Sequence, residues 1–155
     1  MNSILITQDG VDGATALLEI AELRLTLPQA EICALESAGD IDADETKPLS
    51  IGWVHFRHER WPVYCLSPEL TPLVIVPKAR RSCVVLNTGA GFLGILCDNT
   101  EFGIQLTLEQ QQPLPPAMQM PGSPITGLVA LSQDEVACAT NAERLVNYLT
   151  RQVNL

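Results

Sequence analysis

One pattern of apolar and polar positions occurs twice in this sequence. Residues 51–70 and 125–145 each contain an apolar run, a polar turn, a second apolar run and residues typical of a helix start. Gly52 and Gly127 occupy the same position in the two copies. Two short apolar runs separated by a polar turn predict a β-hairpin. The chain is therefore predicted to contain two similar β modules, with a seam between them where function would lie.

Other stretches also show the patterns of strands. Apolar and polar residues alternate over 23–27, which predicts a half-buried strand, although the Ala, Leu and Glu content of 14–27 also permits a helix. Apolar runs predict further strands at residues 4–6, 30–35, 83–87, 92–97 and 102–108. Prolines are concentrated in residues 113–124, which predicts an extended connector.

Two places carry helix-start signals. Ser67 followed by Pro68 suits an N-cap and a first helical position. Thr140 and Glu143 have the spacing of a capping box, and apolar residues recur at helical spacing after it. The second signal predicts a C-terminal helix.

The composition limits the function classes. Hydrophobic residues make up 46% of the chain and charged residues 17%, so the chain can bury a core. The net charge of −9 opposes binding to nucleic acid and to anionic lipid surfaces. We find neither a signal-peptide pattern nor an apolar run long enough to span a bilayer, which predicts a cytoplasmic protein without membrane insertion. The basic cluster at 78–81 is predicted to be a solvated loop, with contact to an acidic partner as the alternative.

Several motifs could carry chemistry, but each is incomplete. Residues 89–94 match G-x-G-x-x-G, yet no helix start follows, so a tight hairpin explains the glycines better than a dinucleotide does. The acidic loop at 40–45 lacks the glycine and the closing glutamate of a calcium-binding EF-hand loop. His55 and His58 lack a third ligand at metal spacing, and Cys65 lies in an apolar strand where burial would raise its pKa. The sequence thus predicts no catalytic residues, no metal and no cofactor.

A resemblance to a known family rests on several ordered segments. Residues 52–58, followed by the segment Pro62-Val63-Tyr64-Cys65-Leu66, resemble the CheW-like family pattern G-x-x-N-L-R-G and then P-V-I-D-L. Residues 84–98 resemble the next hairpin of that family, and 107–128 its linker and second barrel. The resemblance implies a mostly β fold with two small SH3-like β-barrel subdomains around a shared core and a C-terminal helix. The domain would span 14–152, after an N-terminal segment at 1–13.

The resemblance also implies a function. Members of this family are non-catalytic adaptors that couple receptors to a CheA-type histidine kinase in chemotaxis arrays or in type IV pilus control. The expected partners are that kinase and a methyl-accepting chemoreceptor or a pilus sensory receptor. Arg57 matches the arginine of the family motif and Ile32 the valine of its V-x-E-I strand, both near the receptor-facing groove. His58 and Trp61 complete the predicted contact set, because only the first repeat carries such residues across its turn.

The sequence departs from the family pattern at four positions. The acid of V-x-E-I falls at Ala34, so Arg57 is predicted to lack its usual carboxylate partner. His55, His58 and Cys65 replace the asparagine, glycine and aspartate of the other motifs. Two alternatives stay open. One is a stand-alone regulatory module that binds another protein through Trp61 and the acidic loop, and the other is a thiol or metal enzyme. Exposed barrel edges also predict that two copies can pair as a homodimer.

Overall fold

The computed structural model describes residues 4–5 and 13–153, with the backbone alone at 4, 5 and 153. The strands are β1 (Ile4–Leu5), β2 (Thr15–Ile20), β3 (Leu23–Pro28), β4 (Ile32–Ser37), β5 (Gly52–Phe56), β6 (Glu59–Leu66), β7 (Pro72–Leu73), β8 (Ser82–Asn87), β9 (Phe92–Cys97), β10 (Asn99–Ile104), β11 (Gln111–Pro113), β12 (Gly127–Ala130) and β13 (Val136–Ala139). The α-helix is α1 (Ala142–Val153), and short 3-10 helices lie at Gln29–Glu31, Ala38–Asp40, Leu108–Gln110 and Pro116–Met118.

The strands form two sheets, one for each predicted subdomain. The seven-stranded sheet has the order β1-β4-β8-β9-β6-β5, with β7 paired to the end of β6. The six-stranded sheet has the order β10-β2-β3-β13-β12-β11. The N-terminal hairpin β2–β3 therefore completes the sheet built by the C-terminal strands. The mostly β fold with two SH3-like subdomains is confirmed.

The two repeats occupy equivalent places in the two sheets. Each forms an antiparallel hairpin, β5–β6 in the first sheet and β12–β13 in the second. The second strand of each hairpin then pairs in parallel with a strand from elsewhere, β6 with β9 and β13 with β3. The prediction that each repeat is the corresponding hairpin of one barrel is confirmed.

A shared core joins the two sheets. Strands β6, β8 and β9 bury side chains on both faces, which explains their nearly continuous apolar sequences. One face, with Val63, Cys65 and Val85, fills the interior of the first barrel. The other face, with Tyr64 and Leu86, packs against side chains of β2, β3 and α1 in the shared core. The predicted strands at 4–6, 23–27, 30–35, 83–87 and 92–97 are confirmed within the described residues, apart from their exact ends.

The predicted capping box of the C-terminal helix is wrong, although the helix itself is confirmed. Asn141 is the cap, because its Oδ1 accepts a hydrogen bond from the backbone amide of Arg144 at 2.8 Å. Glu31 adds a second cap from a distant segment, where its Oε1 accepts from the amide of Ala142 at 2.8 Å. The Thr140 hydroxyl instead donates to the carbonyl oxygen of Pro124 at 2.7 Å. The helix start is thus tied to both the connector and the N-terminal hairpin.

Two other predicted elements also differ from the structure. No helix follows Ser67, whose Oγ accepts hydrogen bonds from the amides of Glu69 and Thr71 and so closes a turn that returns the chain into β7. The strand predicted at 102–108 is β10, which begins earlier and ends at Ile104. Its pairing with β2 is irregular before that residue, so the chain leaves the sheet there.

A buried ion pair fastens the two subdomains together. Arg80, which is 4% exposed, donates from Nη1 to Oδ1 of Asp98 and from Nη2 to the carbonyl oxygen of Leu66 at 2.9 Å. The other Asp98 oxygen accepts from the amide of Ala21, in the β2–β3 turn, at 3.1 Å. The prediction of a solvated loop at 78–81 is therefore wrong for Arg80. A guanidinium carries donors in several directions, which lets one side chain connect two sheets.

Among the described helices, none has the length and apolar character needed to cross a bilayer.

Candidate partner-binding surface

The tip of the β5–β6 hairpin places two of the predicted contact residues in solvent. Arg57 and His58 form the two-residue turn between the strands, and both are exposed. Their φ angles are 51° and 67°, as a type I′ turn requires at both central positions. This conformation is unfavourable for residues with a side chain. The hairpin therefore holds its two exposed polar residues in a strained and well-defined geometry.

Replacing His58 with glycine is expected to stabilise the protein. Glycine adopts a positive φ without strain, so the free energy of unfolding should rise by roughly 0.5–1 kcal/mol after the entropy of glycine is subtracted. The melting temperature should rise by about 1–4 °C, measured by thermal denaturation followed by circular dichroism. The control is Glu59→Gly in the adjacent strand, which should lower the melting temperature. A lower melting temperature for His58→Gly would contradict the assignment of this turn.

An aromatic platform lies beneath Arg57. Phe56 and Phe92 pack edge to face with ring centres 4.9 Å apart, and Trp61 packs on Phe92 at 5.1 Å. The indole Nε1 of Trp61 donates to the carbonyl oxygen of Phe56 at 3.0 Å. The guanidinium carbon of Arg57 lies 5.3 Å from the ring centre of Phe56 and 5.2 Å from that of Phe92. These distances suit cation–π attraction, so the cation is held at the end of the first barrel.

The charge of Arg57 has no acidic partner in the part of the chain that the structure describes. The contacts there between a basic and an acidic side chain join Arg24 to Glu135, His55 to Asp42 and Arg80 to Asp98. A carboxylate from another molecule can reach the guanidinium without displacing an internal partner.

Ile32 is not part of this exposed surface. It is 1% exposed and packs in the shared core. The pairing of β4 with β8 shifts register between Ile32 and Ala34, so the two side chains enter different cores.

The neighbouring Cys33 is half-buried, and its thiol is influenced by the positive charge of Arg57. Burial raises the pKa of the Cys33 thiol, and the positive charge of Arg57 opposes part of that rise.

The opposite face of the hairpin carries a second aromatic–cation group, which the sequence analysis missed. The guanidinium carbon of Arg60 lies 4.5 Å from the ring centre of Trp53. The indole Nε1 of Trp53 donates to the carbonyl oxygens of Asp44 and Glu45, which fixes the acidic loop against the hairpin. The backbones of Asp42 and Trp53 also form an isolated bridge that covers part of the outer edge of β5. The alternation of aromatic and basic residues on facing strands was the available signal.

The glycine motif at 89–94 belongs to the β8–β9 hairpin, as predicted. A Cβ on Gly91 would lie 2.7 Å from Cζ3 of Trp61, so glycine lets the indole pack against the turn. A Cβ on Gly94 would lie 2.8 Å from Sγ of Cys83 and 2.9 Å from Cγ2 of Val63. Close packing accounts for both glycines, and the motif supports the aromatic platform.

The residues of the thiol or metal alternative are not brought together as a reactive site. Cys65 is fully buried, and burial raises the pKa of its thiol, although the charge and hydrogen bond of Arg80 oppose part of the rise. His55 and His58 lie on the exposed hairpin. Within residues 13–153, no three His, Cys, Asp or Glu side chains are arranged to hold a metal ion.

A groove of about 840 Å³ lies at the seam between the subdomains. It is bounded by the turn after β6, the proline-rich connector and α1. Its apolar lining includes Leu70, Met118, Met120, Pro121, Pro124 and Tyr148. The Arg57 turn does not line this groove, so the seam and the hairpin tip are separate surfaces.

Comparisons with known proteins agree with this architecture. A family model described as CheW-like domain matches residues 15–149. The crystal structure of the scaffolding protein TtCheW from Thermoanaerobacter tengcongensis is similar with a TM-score of 0.64 and 15% identity, over 83% of this chain and 88% of that one. No curated protein matches the sequence. At this identity the structure supports the fold alone, but the family model covers most of the chain. The chain belongs to the family of CheW-like domains.

Proposed function

We propose that this chain is a non-catalytic adaptor that couples a chemoreceptor or pilus sensory receptor to a CheA-type histidine kinase through protein–protein contacts. The observation that supports this proposal most is the exposed guanidinium of Arg57. This residue matches the arginine of the family motif, and its guanidinium has no acidic partner among the described residues. The domain spans 14–152 in this proposal. The similar TtCheW protein is described as a scaffold.

The physical character of the hairpin tip suits protein recognition. Arginine and tryptophan are enriched among the residues that dominate binding energy at interfaces. Arg57 is positioned over aromatic rings, so less side-chain freedom is lost when a partner binds. We assign the contact to Arg57, His58 and Trp61. Ile32 is left out of the exposed contact surface because its side chain is in the core.

A cytoplasmic and non-enzymatic role is supported by the cysteines. All five are free, which suits a reducing compartment. Burial raises the pKa of Cys65, Cys83 and Cys97, so their thiols stay protonated and poorly nucleophilic near neutral pH.

Replacing Arg57 with glutamate is expected to weaken binding to the receptor of the same host at least about 10-fold, or about 1.4 kcal/mol. Charge reversal removes the contact and repels the partner's carboxylate. Isothermal titration calorimetry with the purified receptor and kinase measures this, and receptor-stimulated autophosphorylation of the kinase provides a second readout. The control is Arg144→Glu, an equal charge change on the exposed first turn of α1, where an acid is tolerated.

The experiment tests the adaptor function and the assignment of the binding surface separately. If the wild-type chain binds no kinase and no receptor of its host, the adaptor function is wrong. If it binds both, and Arg57→Glu binds the receptor as tightly as wild type, then only the assignment of the surface is wrong.

A second candidate is a stand-alone module that binds a different regulatory protein. The replacement of the family's glycine by His58 favours it, because this change alters the turn that would face the receptor. Binding to a non-chemosensory protein encoded beside this chain, with no binding to any host kinase, would support this alternative.

A further inference from the structure

A short segment after β7 exposes three consecutive β-branched side chains. Val74 is 73% exposed, Ile75 82% and Val76 38%. We call residues 74–76 the apolar strap. Contiguous apolar residues in solvent are uncommon on soluble domains and mark interaction sites.

The backbone of the strap is unpaired. The ladder between β6 and β7 ends at Leu73. No backbone or side-chain hydrogen bond of the strap occurs among the described residues. Pro72 and Pro77 flank it and restrict its conformations, so the strap is presented without a strand partner. It adds nothing evident to the core of its own chain.

The charge around the strap is positive, whereas the net charge of the whole chain is negative. The chain carries −9, yet residues 70–97 contain no Asp or Glu and include Lys78, Arg80 and Arg81. Arg80 is buried against Asp98, which leaves Lys78 and Arg81 exposed beside the strap. Neither of these two cations forms an ion pair within the described part of the chain. The patch therefore combines apolar side chains with two free positive charges.

We propose that the apolar strap is a second docking surface, which inserts Val74 and Ile75 into an apolar pocket of a partner protein whose rim carries carboxylates facing Lys78 and Arg81. The occupant is a different protein, since a symmetric contact of two straps would bring Lys78 and Arg81 of both copies together, and like charges repel across an interface. This inference does not depend on the identity of the partner at the Arg57 turn.

The first test is site-specific photo-crosslinking in the host. Ile75 of the full chain is replaced with p-benzoyl-L-phenylalanine, and adducts are identified by mass spectrometry. The matched control places the same residue at Leu108, which is 88% exposed but lies beside Glu109 rather than a basic cluster. One dominant adduct to another protein at 75, absent at 108, is expected. The absence of adducts, or adducts to copies of this chain alone, would overturn the proposal.

The second test uses the purified partner that crosslinking identifies, and measures its affinity for this chain. The Ile75→Asp variant should bind the partner at least 10-fold more weakly than wild type. The double variant Lys78→Glu with Arg81→Glu should bind it at least 5-fold more weakly. Wild-type binding should weaken as salt rises. Neither variant should change the melting temperature, because the strap is outside the core. Affinity that is insensitive to both variants contradicts the proposal. A kinase adduct would also support the adaptor function, whereas another protein would support the strap alone.

Discussion

Replacing Arg80 with alanine is expected to lower the free energy of unfolding by about 3–5 kcal/mol. The substitution leaves Asp98 as a partly buried charge without its cation, and the carbonyl of Leu66 without its donor. A buried charge that loses its partner cannot recover the hydration that it gave up on folding. Urea denaturation, followed by tryptophan fluorescence and by circular dichroism, measures the change.

The adjacent Arg81→Ala is the matched control for this prediction. Arg81 is exposed, so its truncation should change stability by less than about 0.5 kcal/mol. Asp98→Asn should destabilise the protein in the same direction as Arg80→Ala. If the Arg80 and Arg81 variants proved equally stable, the ion pair would not fasten the two subdomains.

Leu145→Ala on α1 is expected to lower the free energy of unfolding by about 2.5–5 kcal/mol. Leu145 is 1% exposed and packs in the core that both sheets share, so truncation leaves a cavity where three elements meet. The control is Arg144→Ala on the same turn, which keeps the helix and loses no buried area. Urea denaturation gives the free energies, and amide hydrogen exchange of α1 shows whether the helix detaches. Equal stability of the two variants would contradict the docking of α1 into the shared core.

The strands were predictable because their signal is local. Runs such as those of β8 and β9 are apolar throughout, and the two repeats carry the same hairpin pattern. The cap of α1 by Asn141 was available from local spacing, since asparagine is a favoured N-cap residue and lies three residues before Arg144. The second cap was not, because Glu31 reaches the helix from a segment more than a hundred residues earlier. The burial of Arg80 was hidden for the same reason, because its partners Asp98 and Leu66 are distant in sequence.

The candidate surface was predictable in part. The resemblance pointed to the Arg57 turn, and the structure places Arg57, His58 and Trp61 around one hairpin end. Phe92, which completes the aromatic platform, comes from another hairpin and carries no sequence signal of its own. The resemblance pointed to Ile32 through its place in a motif, but a local shift of register turns its side chain into the core. Motif spacing does not reveal such a shift.

The completion of the second sheet by the N-terminal hairpin has a consequence for biosynthesis. The strands β4 to β9 of the first subdomain are contiguous in the chain, so they can associate while translation continues. The parallel pair β3–β13 joins Leu25 to Cys138, and this contact must wait until the last strand leaves the ribosome. Contacts between such distant residues form slowly. The apolar strands at the start of the chain are then the part most exposed to aggregation and most in need of a chaperone during synthesis.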